Sequence, residues 1–154
     1  LCAHLTGLVR QYGIPPELLR LEITESFYID WPTQVSAVVD SFRAAGFTVE
    51  MDDFGSGYSS LNSLKDLNID KLKLDLKFLA GAQQNKKSGI IISAIINMAH
   101  ALQLPVIAEG VETKEQAEML LSFGCGQMQG YYFSKPVSQP EYESLLRQGT
   151  TLGC

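Results

Sequence analysis

Five short apolar segments with the character of β-strands alternate along this chain with longer segments of helical periodicity. The strand-like segments cover residues 18–24, 47–52, 71–75, 106–109 and 126–129. Helical spacing of apolar residues separates them at 35–45, 88–103 and 114–123, and further helical segments lie at 1–12 and 141–147. This alternation predicts right-handed βαβ crossovers and a parallel sheet, which is either doubly wound or closed into a (β/α) barrel.

The chemistry at the ends of the strand-like segments favours the barrel. A polar or charged residue stands at or near each carboxyl end, namely Glu22, Asp52, Lys73, Glu109 and Gln129. Barrel enzymes place their active sites on that face, whereas a doubly wound sheet usually has one switch point and a glycine-rich phosphate loop. No such loop pattern occurs in the sequence. We therefore expect an α/β fold, an incomplete (β/α)8 barrel of the TIM type with about five of its strands.

The length of the chain suits one domain that is only part of a barrel. The chain has 154 residues, of which 45% are hydrophobic, and a complete barrel typically takes about 250. We expect residues 1–154 to form a single partial domain. Its sheet would have two unpaired edges, because too few strands are present to close it.

Charge and cysteine content argue against several classes of protein. A formal net charge of −5 does not suit a protein that binds duplex nucleic acid by neutralising phosphates. Cys2, Cys125 and Cys154 show no paired spacing, which suits a reducing compartment. The most apolar stretch, residues 90–102, is too short to span a bilayer. We expect a cytoplasmic location, either of the whole protein or of the cytoplasmic part of a membrane-anchored parent.

Asp52 and Asp53 form the most informative local feature. They end a strand-like segment and lead into a polar loop that contains two glycines. Adjacent carboxylates repel each other unless a cation neutralises both, so the pair predicts a divalent metal ion and further oxygen ligands elsewhere in the chain. Taken singly, the neighbouring candidates have ordinary interpretations as well. Glu22 alone would be a solvated loop residue, and Lys73 alone a surface lysine.

Five segments resemble, in order, the consecutive motifs of the EAL domain family. They are residues 22–26 (EITES), 52–61 (DDFGSGYSSL), 70–75 (DKLKLD), 108–113 (AEGVET) and 129–136 (QGYYFSKP). The resemblance covers essentially the whole chain and about the last two thirds of the family's domain. The Glu-Ala-Leu strand that names the family, with its metal-binding Glu, and a strand that carries an Asn ligand have no counterpart here.

The resemblance implies a bacterial phosphodiesterase that opens cyclic di-GMP to linear pGpG with two Mg²⁺ or Mn²⁺ ions. By motif position, Glu22 and Asp52 would bind the first ion and Asp52 would also bridge to the second. Asp53 would bind the second ion, and Glu109 would hold that ion or its water. Lys73 would lie beside the bridging water and orient or deprotonate it, so Lys73 and Glu109 are the expected catalytic residues.

The resemblance also assigns supporting residues and partners. Glu112 would brace the loop that contains Gly55 and Ser56, and Gln129 would contact the substrate from the last strand. The expected partners are cyclic di-GMP, further signalling domains fused to this one, and a second copy in a homodimer. Two alternatives stay open: a degenerate EAL-like module that binds nucleotide or protein without catalysis, and an unrelated barrel enzyme with similar acids.

Glu50 departs from the family pattern, which usually has a small residue two positions before the first aspartate. Strand alternation places Glu50 on the same face as Asp52, one layer below the expected metals. Lys71 stands two positions before Lys73 on the next strand. We therefore predict an ion pair between Glu50 and Lys71 in that layer, the alternative being a frayed edge.

Overall fold

Five parallel strands form one sheet in which they neighbour one another in chain order. The computed structural model describes residues 1–55, 61–76 and 86–148, and at 61–63 and 86 only the backbone. The strands are β1 (Arg20–Thr24), β2 (Thr48–Phe54), β3 (Lys71–Asp75), β4 (Val106–Glu109) and β5 (Gln127–Met128). The predicted parallel α/β sheet of five strands is confirmed. Its strand order never reverses, so it lacks the switch point of a doubly wound sheet.

Helices connect and flank the strands. They are α1 (Cys2–Gln11), α2 (Glu25–Asp30), α3 (Pro32–Ala44), α4 (Leu61–Asp66), α5 (Lys86–Ala101), α6 (Lys114–Ser122) and α7 (Gln139–Gln148). The sequence did not predict α2 and α4, which have six residues each and are too short to display a helical period. In the described part of the chain, no helix has both the length and the apolarity to cross a membrane.

The start of β1 also differs from the prediction. Pro16 begins a single 3₁₀ turn that extends to Leu18, because proline suits the first position of a helix. The strand therefore begins at Arg20 and not at residue 18. The 3₁₀ turn before the strand is closed by hydrogen bonds that the Leu18 and Leu19 amides donate to the carbonyls of Pro15 and Pro16.

Alternation along the strands separates an apolar face from a polar one, and Glu50 shares the polar face with Asp52. The apolar face carries fully buried side chains that pack against the helices, among them Val49, Met51, Leu72, Leu74 and Ala108. Helix residues such as Val39, Ile92, Ile96 and Leu120 complete this core. Each fully buried aliphatic side chain contributes about 1.5–3 kcal/mol relative to exposure. The opposite face carries the charged residues of β2, β3 and β4.

The predicted ion pair between Glu50 and Lys71 is wrong. The two residues are direct partners in the β2–β3 register, but their charged groups take partners on opposite sides. Oε1 of Glu50 lies 3.5 Å from Nε of Arg20 on β1, and Nζ of Lys71 donates a hydrogen bond of 3.2 Å to Oε1 of Gln127 on β5. Long side chains on a sheet face can lean toward either neighbouring strand, so adjacency in register does not fix an ion pair.

The β1 end of the sheet is open. In the described residues β1 pairs with β2 alone. Beside its apolar face lies a groove of about 770 Å³, lined by side chains of α1, β1, α2 and α3. Phe27 and Trp31 in this groove are 56% and 54% exposed. An unpaired strand edge next to exposed aromatic side chains agrees with the expectation of an incomplete barrel.

Asp70 joins three elements at the opposite end of the sheet from the acids. Its Oδ2 accepts a hydrogen bond of 2.8 Å from the Val49 amide, and its Oδ1 accepts one of 3.1 Å from Nε of Arg43. Nη2 of Arg43 lies 2.9 Å from the same Oδ1 in an ion pair. Its own amide donates to the Val49 carbonyl at 2.8 Å. This carboxylate therefore fixes the entry of β3 against β2 and the last turn of α3.

We expect Asp70→Ala to lower the free energy of unfolding by about 1–3 kcal/mol, because the Val49 amide loses its charged acceptor. Urea denaturation followed by circular dichroism measures the change. Arg43→Met is the matched control, since it removes the contacts of Asp70 with Arg43, whose side chains are 29% and 31% exposed, and leaves the Val49 hydrogen bond in place. We expect it to cost less, about 0–1 kcal/mol. Equal losses for the two variants would contradict the role assigned to the Val49 hydrogen bond.

Candidate metal centre

Lys73 lies at the centre of three carboxylates on the polar face of the sheet. Its Nζ is 2.5 Å from Oε1 of Glu22, 3.0 Å from Oδ1 of Asp52 and 3.1 Å from Oε1 of Glu109. These four residues come from β1, β2, β3 and β4, all near their carboxyl ends. The parallel register creates this convergence, because it places the ends of all four strands at one edge. The structure thus brings together four of the predicted site residues.

Burial and the neighbouring carboxylates together set the protonation of Lys73, which is only 6% exposed. Burial on its own would lower the pKa of the ammonium group, but the hydrogen bonds to Glu22, Asp52 and Glu109 outweigh it and raise the pKa above its usual value. The stabilisation from this group is therefore complete at neutral pH and is lost only as the pH rises through the raised pKa. In this arrangement Lys73 keeps its proton, which favours an orienting and electrostatic role over that of a base.

Asp52 and Glu109 respond differently to the same lysine. Burial opposes ionisation of Asp52, but the hydrogen bond and charge of Lys73 and the Asp53 amide outweigh it, so the pKa of Asp52 lies below its usual value. Burial raises the pKa of Glu109, and the charge of Asp52 adds to this effect, with Lys73 offsetting only part of it. The Asp52 contribution to stability is therefore present at neutral pH and is lost as the pH falls through its lowered pKa.

Asp53 has an uncommon backbone conformation at the end of β2. Its φ is +55°, in the left-handed region, and the register between β2 and β3 shifts between Met51 and Phe54. Aspartate tolerates this region better than most residues, and an irregularity of this kind redirects the side chain next to a site. Burial and the charges of Asp52 and Asp75 raise the pKa of Asp53. A cation here would relieve that repulsion.

The donors fit a hard divalent cation by their chemistry. Carboxylate oxygens are the ligands that Mg²⁺ and Mn²⁺ prefer. Oδ1 of Asp52 is inaccessible to solvent and, apart from the ion pair with Lys73, accepts no hydrogen bond in the described part of the chain. Among residues 1–55, 61–76 and 86–148, no three acidic, histidine or cysteine side chains already surround a common metal position. The carboxylates instead contact the ammonium group of Lys73. A bound cation would therefore share these carboxylates with Lys73.

Glu25 makes a contact to the loop after β2 that the sequence did not predict. This residue is 1% exposed, and its Oε2 accepts a hydrogen bond of 3.2 Å from the Gly55 amide. Gly55 has a φ of +93°, so the chain turns here in a conformation that favours glycine. Ser56 lies outside the described residues, and the bracing role of Glu112 stays a prediction. The sequence does hold one signal for the Glu25 contact, because Glu25 is an acidic residue at the first position of α2, directly after β1.

Glu112 and Gln129 both line a small pocket beside Glu109. The pocket has a volume of about 240 Å³ and its other lining residues are Asp75, Gly110, Gly130 and Tyr131. Gln129 enters it from the chain that follows β5, held by its amide, which donates to the Ala108 carbonyl at 2.8 Å. Gly130 must be glycine, because a Cβ atom there would lie 2.1 Å from the Val111 carbonyl oxygen. Gln129, for which the sequence predicts a substrate contact, therefore lies in a pocket that Glu109 also lines.

Comparison with known proteins finds relatives of one family. The EAL domain family matches residues 1–136. The signaling protein YkoW of Bacillus subtilis is 41% identical over 138 residues, which are 90% of this chain and 17% of YkoW. The cyclic di-GMP phosphodiesterase RocR of Pseudomonas aeruginosa is 33% identical over 142 residues, which are 92% of this chain and 36% of RocR. The chain thus spans well under two thirds of the length of these curated relatives.

Solved structures show the same fold. The EAL domain of Mycobacterium smegmatis DcpA superposes with a TM-score of 0.89 at 37% identity, over 97% of this chain and 67% of that one. A manganese and cyclic di-GMP complex of Klebsiella pneumoniae BlrP1 superposes with a TM-score of 0.81 at 32% identity, over 87% of this chain and 34% of that one. The expected barrel-type architecture is therefore confirmed.

We expect Lys73→Met to lower the free energy of unfolding at pH 7 by about 2–4 kcal/mol, because three carboxylates lose their shared counterion. The loss should shrink at pH 4, since the acids can then take up protons in the variant. Urea denaturation in EDTA at both pH values measures this.

Lys114→Met is the matched control for this prediction. Lys114 is 68% exposed and pairs with Glu118 on the surface of α6, so its replacement should cost less than about 1 kcal/mol at either pH. A loss for Lys73→Met that is the same at pH 7 and pH 4 would contradict the electrostatic account of the cluster.

Proposed function

The chain belongs to the EAL domain family, and on that premise we propose that it forms part of a metal-dependent phosphodiesterase that hydrolyses cyclic di-GMP to linear pGpG. One observation carries the proposal, namely the convergence of Glu22, Asp52 and Glu109 on Lys73 at the carboxyl edge of the sheet. Relatives named as cyclic di-GMP phosphodiesterases, and a relative solved with manganese and cyclic di-GMP, support the same substrate and cofactor class.

The acids of the centre would hold two Mg²⁺ or Mn²⁺ ions. Glu22 and Asp52 would bind the first, Asp52 would also contact the second, and Asp53 and Glu109 would complete it. When bound, such ions make water a better nucleophile and polarise the phosphoryl oxygens. The raised pKa values of Asp53 and Glu109 indicate that both carboxylates gain from a nearby positive charge. We expect the affinity for the ions to fall as the pH falls and these acids take up protons.

The remaining residues would position the substrate and hold charge. Lys73 would keep its proton and place a positive charge where the phosphodiester gains negative charge, and it would orient the attacking water. Gln129 would bind the substrate from the pocket next to Glu109. Glu112 would support the loop that includes Gly55 and Ser56, together with Glu25, which already holds the Gly55 amide.

We further propose that residues 1–154 are one partial EAL domain within a longer signalling protein. The small share of each relative that the chain covers supports this, at 17% of YkoW and 36% of RocR. A homodimer, a cytoplasmic location and fusion to sensor domains belong to the same proposal. Binding of duplex nucleic acid does not, because the net charge is −5.

A second function, binding without catalysis, has one observation in its favour. In the described residues the acids surround Lys73 and do not already form a three-ligand metal cluster. A degenerate module of this kind would bind cyclic di-GMP or a protein without turning the nucleotide over. The phosphodiesterase is the better supported function, because several relatives carry that name.

Asp52→Asn should weaken Mn²⁺ binding by about tenfold or more, because an amide supplies one weaker donor in place of a carboxylate. Titration of Mn²⁺ followed by electron paramagnetic resonance measures the free ion. Asp66→Asn is the matched control, with a 58% exposed side chain away from the centre, and should leave the affinity unchanged. An unchanged affinity for Asp52→Asn would remove the paired aspartates from the metal site.

The chain of residues 1–154, expressed alone, should hydrolyse cyclic di-GMP at least about 100-fold more slowly than RocR, because the donors of the signature strand are not among its residues. Chromatographic detection of pGpG at saturating Mn²⁺ measures the rate for both proteins. Turnover by this chain close to that of RocR would show that its own acids suffice for the reaction.

A further inference from the structure

A second polar layer lies beneath the metal centre on the same face of the sheet. Glu50 stands two residues before Asp52 on β2, and Arg20 stands two residues before Glu22 on β1. Nε of Arg20 lies 3.5 Å from Oε1 of Glu50. The lower layer therefore joins a β1 side chain directly to a β2 side chain.

The Glu50 carboxylate depends on this partner. Glu50 is 2% exposed, and its Oε1 accepts no hydrogen bond from the described residues. A buried carboxylate is costly unless an opposite charge lies close to it. The guanidinium group of Arg20 is the cation within ion-pair distance of Glu50 among the described residues. Glu50 thus takes its counterion from β1, where the Arg20 side chain is 55% exposed.

The position of Glu22 depends on the register of β1. Glu22 lies directly opposite Glu50, and Thr24 opposite Asp52, in the β1–β2 pairing. β1 has β2 as its one partner in the described sheet, and the Glu22 side chain is 48% exposed, the most open of the acids around Lys73. A slip of β1 by one residue would turn Glu22 to the other face, and a slip by two would separate it from Lys73.

We propose that the Arg20–Glu50 ion pair positions Glu22 for the metal centre by holding β1 in register with β2, and that it thereby sets the affinity of the centre for a divalent cation. This inference rests on the proposed function, since it takes the acids around Lys73 as cation ligands. Arg20 and Glu50 are positioning residues that act through Glu22.

The sign of one mutational effect separates positioning from simple electrostatics. Arg20→Gln removes a positive charge near the centre, so electrostatics alone would make Mn²⁺ bind more tightly. Loss of positioning would instead weaken binding by about tenfold, the size seen when residues behind a metal ligand are lost. We expect the weaker binding, measured by Mn²⁺ titration with electron paramagnetic resonance on variants whose circular dichroism is unchanged.

Two further variants complete the design. Arg20→Lys keeps a cation opposite Glu50 and should restore the affinity to within about threefold of the starting protein, because an ammonium group can form the same pair. Lys114→Gln breaks an exposed 3.5 Å pair with Glu118 and should change nothing. Binding by Arg20→Gln that is as tight as in the starting protein, or tighter, overturns the proposal.

Hydrogen exchange of the β1 amides provides a readout that needs no metal. The Ile23 and Thr24 amides should exchange faster in Arg20→Gln than in the starting protein, while amides of β3 and β4 keep their rates. If the starting protein binds no Mn²⁺, or if Asp52→Asn binds as the starting protein does, the proposed function fails. The ion pair is then judged by exchange alone, and unchanged protection of Ile23 and Thr24 in Arg20→Gln overturns it.

Discussion

The ion cluster around Lys73 is the interaction on which the site depends. A single buried ammonium group meets carboxylates from three other strands, at 2.5–3.1 Å. Acids brought so close together would otherwise repel one another and raise the free energy of the folded state. The lysine therefore keeps the strand ends together, and it holds the carboxylates in the arrangement from which a divalent cation would bind them.

Much of the fold follows from patterns within the sequence. Alternating strand-like and helical segments predict the five parallel strands, and the period of two along β2 and β3 separates Val49 and Leu72 from Asp52 and Lys73. Because parallel strands end at one edge, the convergence of the acids follows from the same reasoning. The short helices α2 and α4 are missed, since six residues are too few to show a helical period.

The wrong or missing predictions concern the partners of charged side chains, which depend on three-dimensional contacts. Glu50 and Lys71 are neighbours in register, yet their side chains lean in opposite directions toward Arg20 and Gln127. The contact of Glu25 with Gly55 joins residues thirty positions apart and follows from the turn after β2. Neither periodicity nor spacing encodes where a long charged side chain finds its partner. The Arg20–Glu50 pair is a further example, because it joins β1 to β2 through two side chains whose contact no spacing in the sequence indicates.

The most direct test of a cation site around Lys73 is anomalous X-ray diffraction from crystals of this chain grown with Mn²⁺. We predict an anomalous peak about 2.1 Å from a carboxylate oxygen of Asp52, with Glu22 or Asp53 as a further ligand and Lys73 displaced from at least one of its acids. Manganese peaks located only elsewhere, with the contacts of Lys73 unchanged, would contradict the account.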